Sequence, residues 1–213
     1  MEHAFWHDKW DKNQIGFHNE AVNPLLVQHF DQLGLAEGQT VLVPLCGKSV
    51  DLLWLLTRGL NVVGVELSDI AVQAFFQEHM LDPEVQQVDH HTLYRSGSLS
   101  IWQGDLFSLT SARIGPIDAV YDRAACVAMP DAMRPRYVEQ VRQLSEKASQ
   151  LLITYEYDQQ LIPGPPFAVH PSMVDALYGA DFLLTELAAV EVEGGLKGKV
   201  PSLERVWKLI PSR

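Results

Sequence analysis

Two apolar runs and the turn between them restrict this chain more than anything else in it. The run Val41-Leu42-Val43-Pro44-Leu45 leads through Cys46 to Gly47. A helical pattern over residues 50–56 follows and stops at Arg58-Gly59. A second run, Val62-Val63-Gly64-Val65, then ends on Glu66, 19 residues after Gly47. The order strand, glycine turn, helix, strand, acid is the opening unit of a nucleotide-binding α/β fold. A carboxylate there suits a ribose, because it accepts from both vicinal hydroxyls, and a glycine lets backbone approach a ligand where a Cβ would collide. Only Gly47 of the G-x-G-x-x-G pattern is present, and no complete G-x-x-x-x-G-K-[ST] loop occurs. The missing glycines disfavour a pyrophosphate cradle and favour a nucleoside ligand without a diphosphate. The same residues also suit a buried strand with an ordinary turn and Glu66 as its solvated end.

The rest of the chain repeats the alternation. Asn23-Pro24 predicts a helix start, with Val22, Leu25, Leu26, Phe30 and Leu33 as its apolar stripe and Gly34 as its stop. Ser68 predicts another cap, before Val72, Phe75, Phe76 and His79. Residues 82–98 read as polar and irregular, with His90-His91 exposed and without metal-ligand spacing, so no metal is expected. Strands are predicted at residues 99–103, 117–121 and 151–157, with a helix between the last two from a cap at Asp131 to Lys147. A proline-rich loop (162–167) and a short helix to Gly179 precede two late strands, at 182–192 and 205–210, that read as an antiparallel pair. The whole, residues 1–213, reads as a single domain with a mostly parallel sheet. Ligands in such sheets bind at the carboxyl ends of the strands, which gathers Leu45, Gly47, Glu66, Asp105, Asp122 and Arg123 at one edge.

The first 20 residues form an aromatic arm, with Trp6 and Trp10 at helical spacing and Phe17 beyond them in a polar setting. Such an arm either packs on the domain or closes over a flat ligand as a lid. The net charge of −11 comes without a basic cluster, which excludes a phosphate-backbone partner. Neither a signal-peptide pattern nor an apolar run of about 18 residues occurs, and Cys46 and Cys126 are far apart. A cytoplasmic, membrane-free monomer with two reduced thiols is the expectation.

The motifs Trp6-x-x-x-Trp10, Gly16-Phe17-His18, Pro44-Leu45-Cys46-Gly47-Lys48, Val63-Gly64-Val65-Glu66, Asp122-Arg123-Ala124-Ala125 and Pro163-Gly164-Pro165-Pro166-Phe167 resemble the thiopurine S-methyltransferases in order and spacing. These are class I S-adenosylmethionine-dependent methyltransferases, here in the shorter bacterial form. The resemblance implies a Rossmann-like, seven-stranded sheet with helices on both faces and a C-terminal antiparallel hairpin. It implies S-adenosyl-L-methionine as cofactor and a small-molecule thiol as partner. Carried over, Trp10, Leu45, Glu66 and Arg123 correspond to cofactor-contacting positions, Asp105 and Leu106 to the pair beside the adenine, and Phe17 to an aromatic near the substrate. Arg123 is also the expected catalytic residue, favouring an anionic sulfur nucleophile, with an ion pair to Asp122 or Asp118 as its structural alternative. A second substrate-facing cation falls among Lys197, Lys199 and Arg205. The expected reaction moves a methyl to the sulfur of a thiopurine or similar aromatic thiol by in-line displacement. The alternatives are selenium or tellurium species or another thiol as acceptor, a non-catalytic nucleoside-binding module, and a nicotinamide oxidoreductase, which the absent G-x-G-x-x-G disfavours.

Overall fold

The computed structural model describes residues 3–212. Met1 and Glu2, the start of the expected arm and domain, and Arg213 lie outside them. Nine strands form one sheet: β1 Thr40–Pro44, β2 Asn61–Glu66, β3 Glu84–Val88, β4 His91–Ser96, β5 Leu99–Gln103, β6 Ala119–Arg123, β7 Ser149–Glu156, β8 Phe182–Glu191 and β9 Leu203–Pro211. Their spatial order is β3-β4-β5-β2-β1-β6-β7-β9-β8. The five central strands are parallel, with registers such as Leu42↔Val63 and Leu42↔Val120. The late strands pair antiparallel as expected, and β9 inserts beside β7.

The largest correction concerns residues 82–98. They are not irregular: β3 and β4 make an antiparallel hairpin that extends the sheet beyond β5, giving nine strands where seven were expected. The residues of β3 are polar because that strand is an edge with solvent along most of its length. His91 is buried, its ring edge-on to Trp102 and its Nε2 3.1 Å from the Asp105 carbonyl, while His90 is exposed as predicted.

Helices cover both faces. On one, α2 (Pro24–His29), α3 (Asp51–Thr57) and α4 (Asp69–Glu78) bury Leu26, Leu52, Leu55 and Phe75 against Val41, Val62, Tyr121 and Ile153. On the other, α6 (Arg134–Leu144) and α7 (Pro171–Tyr178) bury Tyr137, Val141 and Val174 against Leu42, Val63, Val120 and Leu152. Two more short helices are α1 (His3–Asp11) and α5 (Ser111–Ile114). The predicted caps are present: Asn23 accepts from Leu25 N and Leu26 N, and Ser68 Oγ from Ala71 N. The α2 stripe ends in a 3-10 turn over Phe30–Leu33, stopped by Gly34 at φ 68°. Asp131 does not cap α6: its carboxylate pairs with Arg134, the cap position falls two residues later at Met133, and Pro135 lies in the first turn.

Candidate active site

The turn after β1 is held in an unusual conformation. Leu45 has φ 49° and Gly47 φ 54°, and Leu45 is not a residue that adopts this region freely. Cys46 N–H donates to the Val65 carbonyl at 3.0 Å, so the turn lies against the end of β2. At Gly64 a Cβ would stand 2.8 Å from Cys46 Sγ, which is why a glycine interrupts that valine run. At Gly47 a Cβ would stand 3.2 Å from the Trp10 ring. The glycine therefore serves close approach on both sides of the turn.

Glu66 ends β2 directly beside it. The residue is 6% exposed. One carboxylate oxygen accepts from Gly47 N at 2.8 Å, the other from Ser68 N at 2.7 Å. Burial pushes the carboxyl up from its ordinary value, and the backbone N–H groups of Ser68, Gly47 and Leu67 pull it part of the way back. A carboxylate offers about four lone-pair sites, so two remain after these bonds.

Arg123 ends β6 across β1. It makes no ion pair with either aspartate. Asp118 instead accepts from Gln39 and Thr40, and Asp122 points to the opposite face, where it accepts from Cys126 N at 3.0 Å and Tyr137 Oη at 2.7 Å. One Arg123 N–H donates to the Phe17 carbonyl at 3.2 Å, which fastens the arm to the site. Ala124, next in the chain, has φ 62°, so positive-φ non-glycine backbone follows both β1 and β6.

The arm is helical where predicted. Trp6 and Trp10 lie on one side of α1, and both meet Phe17 edge-on, with centroids 5.7 and 5.5 Å apart. Trp10 is buried, and Phe17 is half-buried. Asp105 caps the short turn after β5 by accepting from Phe107 N at 3.0 Å, and its other oxygen lies 3.7 Å from His3 Nε2. Leu106 buries its side chain in the core. The structure thus gathers Trp10, Phe17, Leu45, Glu66, Asp105 and Arg123 along one edge, while Leu106 faces inward.

The three C-terminal cations differ in their engagement. Arg205 is held by Glu156 and Glu186. Lys197 donates to the Pro165 carbonyl at 2.8 Å. Lys199 lines a broad cavity of about 1080 Å³ with Glu156, His170 and Leu203, beyond β7 and away from Glu66.

Two groups near the site escaped sequence reading. Asp51, 2% exposed, accepts from Asn23 N and Tyr121 Oη, tying α2, α3 and β6 together beneath Arg123. Tyr155 on β7 is the cross-strand partner of Glu204 on β9, and its phenol is pushed up mainly by burial and by Glu204 and pulled down by Arg123. Only the helix-start position of Asp51 carried any signal, since the Tyr155 partners lie on other strands.

Asp122 gives a testable pH dependence. Burial raises its carboxyl from 3.8 to about 6, against the bonds from Cys126, Tyr137 and Ala125. The native state therefore holds this proton more tightly than the unfolded chain does. The stability it contributes is full below pH 3.8 and lost as pH rises through about 6. A shift of this size is worth on the order of 3 kcal/mol. Asp122→Asn should gain on the parent by that order between pH 4 and pH 7 in urea unfolding, and a gap that stays constant over this range would refute the assignment.

Comparisons with known proteins show the family and the fold. The family model for thiopurine S-methyltransferase (TPMT) matches residues 1–207. A thiopurine S-methyltransferase of Teredinibacter turnerae is 50% identical over 209 residues, covering 98% of this chain and 97% of the relative. One from Xanthobacter autotrophicus is 48% identical, covering 98% and 99%. In fold, the chain matches a Burkholderia thailandensis 1,6-didemethyltoxoflavin-N1-methyltransferase solved with S-adenosylhomocysteine, with a TM-score of 0.65 at 14% identity over 98% of this chain and 87% of the other. It also matches a TehB-like methyltransferase of Corynebacterium glutamicum, with a TM-score of 0.59 at 12% identity over 99% and 98%.

Proposed function

Because the chain belongs to the thiopurine S-methyltransferase family and is an S-adenosylmethionine-dependent methyltransferase, we propose that it methylates the sulfur of an aromatic or heterocyclic thiol at the edge formed by Leu45, Glu66 and Arg123. The buried Glu66 carboxylate carries this reading. It is fixed by two backbone N–H groups and keeps two acceptor sites, the number a pair of vicinal ribose hydroxyls requires. The turn beside it holds a single glycine, which suits a nucleoside without a diphosphate.

S-adenosylmethionine, when bound, supplies a methyl already activated by its sulfonium. The residues have only to orient and to exclude water. Glu66 would hold the ribose, Leu45 and Gly47 would form the backbone wall beside the methionine end, and Asp105 with the backbone of Leu106, whose side chain is turned into the core, would flank the adenine. Trp10 closes the turn as part of the lid, and an aromatic face near a cation adds about 0.5–2 kcal/mol of attraction. Phe17 faces the acceptor, held through its carbonyl by Arg123. Arg123 favours the anionic form of the acceptor sulfur by the attraction that lowers any neighbouring acid's pKa. Holding nucleophile and methyl in line supplies up to about 7–11 kcal/mol of the barrier.

Methyl-labelled S-adenosylmethionine offered with 6-mercaptopurine, thiophenol, selenite and tellurite tests the acceptor class. Label should pass to the two sulfur acceptors. Transfer to selenite or tellurite alone would reassign the acceptor, and transfer to none would overturn the reading. Among the described residues no helix is long and apolar enough to cross a membrane.

A further inference from the structure

A thiol acceptor loses a proton as it gains a methyl, and Arg123, always protonated, cannot take that proton. The sheet register puts another group beside it. Arg123 is the cross-strand partner of Ile153, and Tyr155 lies two residues further along β7 on the same face. Tyr155 is in turn the direct partner of Glu204 on β9. Arg123, Tyr155 and Glu204 therefore share one face, at the carboxyl ends of β6 and β7 and the amino end of the antiparallel β9.

The Tyr155 hydroxyl feels both neighbours in opposite senses: burial and then Glu204 push the phenol up, and Arg123 pulls it down. This is the balance of a phenol lying between a carboxylate and a guanidinium. Tyr155 stands near the end of β7, where it also borders the apolar cluster of the α6 and α7 face. Two other phenols nearby are committed elsewhere, Tyr121 to Asp51 and Tyr157 to the Pro166 carbonyl. Glu204 is half-buried and belongs to no ion pair among the described residues, unlike its neighbour Arg205.

We propose that Tyr155, backed by Glu204, receives the proton of the acceptor thiol as the new sulfur–carbon bond forms. This extends the S-methylation reading above and rests on it. The thiol proton passes to Tyr155 Oη while the phenolic proton passes to the Glu204 carboxylate. The sulfur lone pair forms the bond to methyl, and the electrons of the broken carbon–sulfonium bond return to the cofactor sulfur, leaving a neutral thioether. Glu204 then returns the proton to water. Tyr155 is the catalytic residue of this step and Glu204 its positioning partner. The charged groups facing Tyr155 are Glu204 from β9 and Arg123 from β6, with His18 of the arm near Arg123 and held toward its neutral form mainly by burial.

The relay matters only for an acceptor that arrives protonated. An alkyl thiol, with a pKa near about 8.5 or above, needs it at neutral pH, whereas an acidic aromatic thiol is already ionised. In Tyr155→Phe and Glu204→Gln, turnover of benzyl mercaptan relative to 4-nitrothiophenol should fall by roughly a hundredfold at neutral pH. The deficit should close as pH rises toward the pKa of the alkyl thiol. Both acceptors are read on one preparation, so any loss of folded protein cancels. Without cofactor or turnover, tyrosine carbon NMR gives a second readout: the resonance removed by Tyr155→Phe should move as Glu204 is protonated and stay still in Glu204→Gln. An unchanged acceptor ratio, or a Tyr155 resonance indifferent to Glu204, overturns the relay alone. A parent enzyme that methylates neither thiol overturns the S-methylation reading and the relay with it.

Discussion

Glu66→Ala should weaken S-adenosylhomocysteine binding by roughly 10²- to 10⁴-fold in calorimetry, from two charge-assisted hydrogen bonds at about 1.5–3 kcal/mol each. The argument depends on the carboxylate being fixed before the ligand arrives. Its oxygens are held at 2.8 and 2.7 Å by Gly47 N and Ser68 N, so no side-chain freedom remains to be lost on binding. The same bonds give the substitution a second consequence. Alanine leaves two buried N–H groups without their acceptor, and the turn that carries Leu45 and Gly47 keeps only the Cys46 bond to Val65 as its tie to β2. Glu66→Gln separates the two effects. Its amide oxygen keeps one backbone bond, so the turn survives, but its nitrogen cannot accept from a ribose hydroxyl. Affinity should fall in both variants, and more in the alanine one. Because burial pushes the Glu66 carboxyl up, affinity in the parent should also begin to fall on acidification earlier than an ordinary carboxylate allows. Unchanged affinity in both variants would remove Glu66 from the ribose.

Much of that site was legible because its signals are local. Val41 to Glu66 has the punctuation of strand, turn, helix and strand within 26 residues, and the caps at Asn23 and Ser68 act over two or three positions. Local signals failed where an element depends on its neighbours. The β3 residues Glu84, Gln86 and Gln87 show no alternation because the strand is solvent-exposed along most of its length, and only pairing with β4 makes it a strand. Asp131 has the chemistry of a cap, but Arg134 claims its carboxylate. The Arg123, Tyr155 and Glu204 group lay beyond reach for the same reason. It is assembled by registers joining residues 30 and 49 positions apart, and β9 enters the sheet between β7 and β8 against chain order. Residue type identified Arg205 as a candidate cation, yet only the fold shows Glu156 and Glu186 already holding it.

The second large effect is expected from the arm. Deleting residues 1–18 should leave a cooperatively folding protein whose methyl transfer is reduced on the order of 10²-fold or more. Folding should survive because the apolar clusters on the two sheet faces draw their buried members from residue 25 onward. The cap at Asn23 and its bond to Asp51 also remain. Catalysis should not survive, because the arm contributes at three separate points. Trp10 lies over Gly47, so its loss opens the turn to water. Phe17 is braced edge-on by Trp6 and Trp10, so the aromatic wall facing the acceptor disappears. Arg123 loses the Phe17 carbonyl that orients one end of its guanidinium. Cofactor affinity should fall less than turnover, since Glu66 and its backbone donors are untouched. Trp10→Ala offers the same test in the full chain: it removes the cover from Gly47 while keeping the Phe17 carbonyl on Arg123, so its loss of turnover should lie between parent and truncation. Normal turnover in the truncated chain would make the arm mere packing. A Trp10→Ala variant as inactive as the truncation would put the effect in the cover over the turn rather than in the orientation of Arg123.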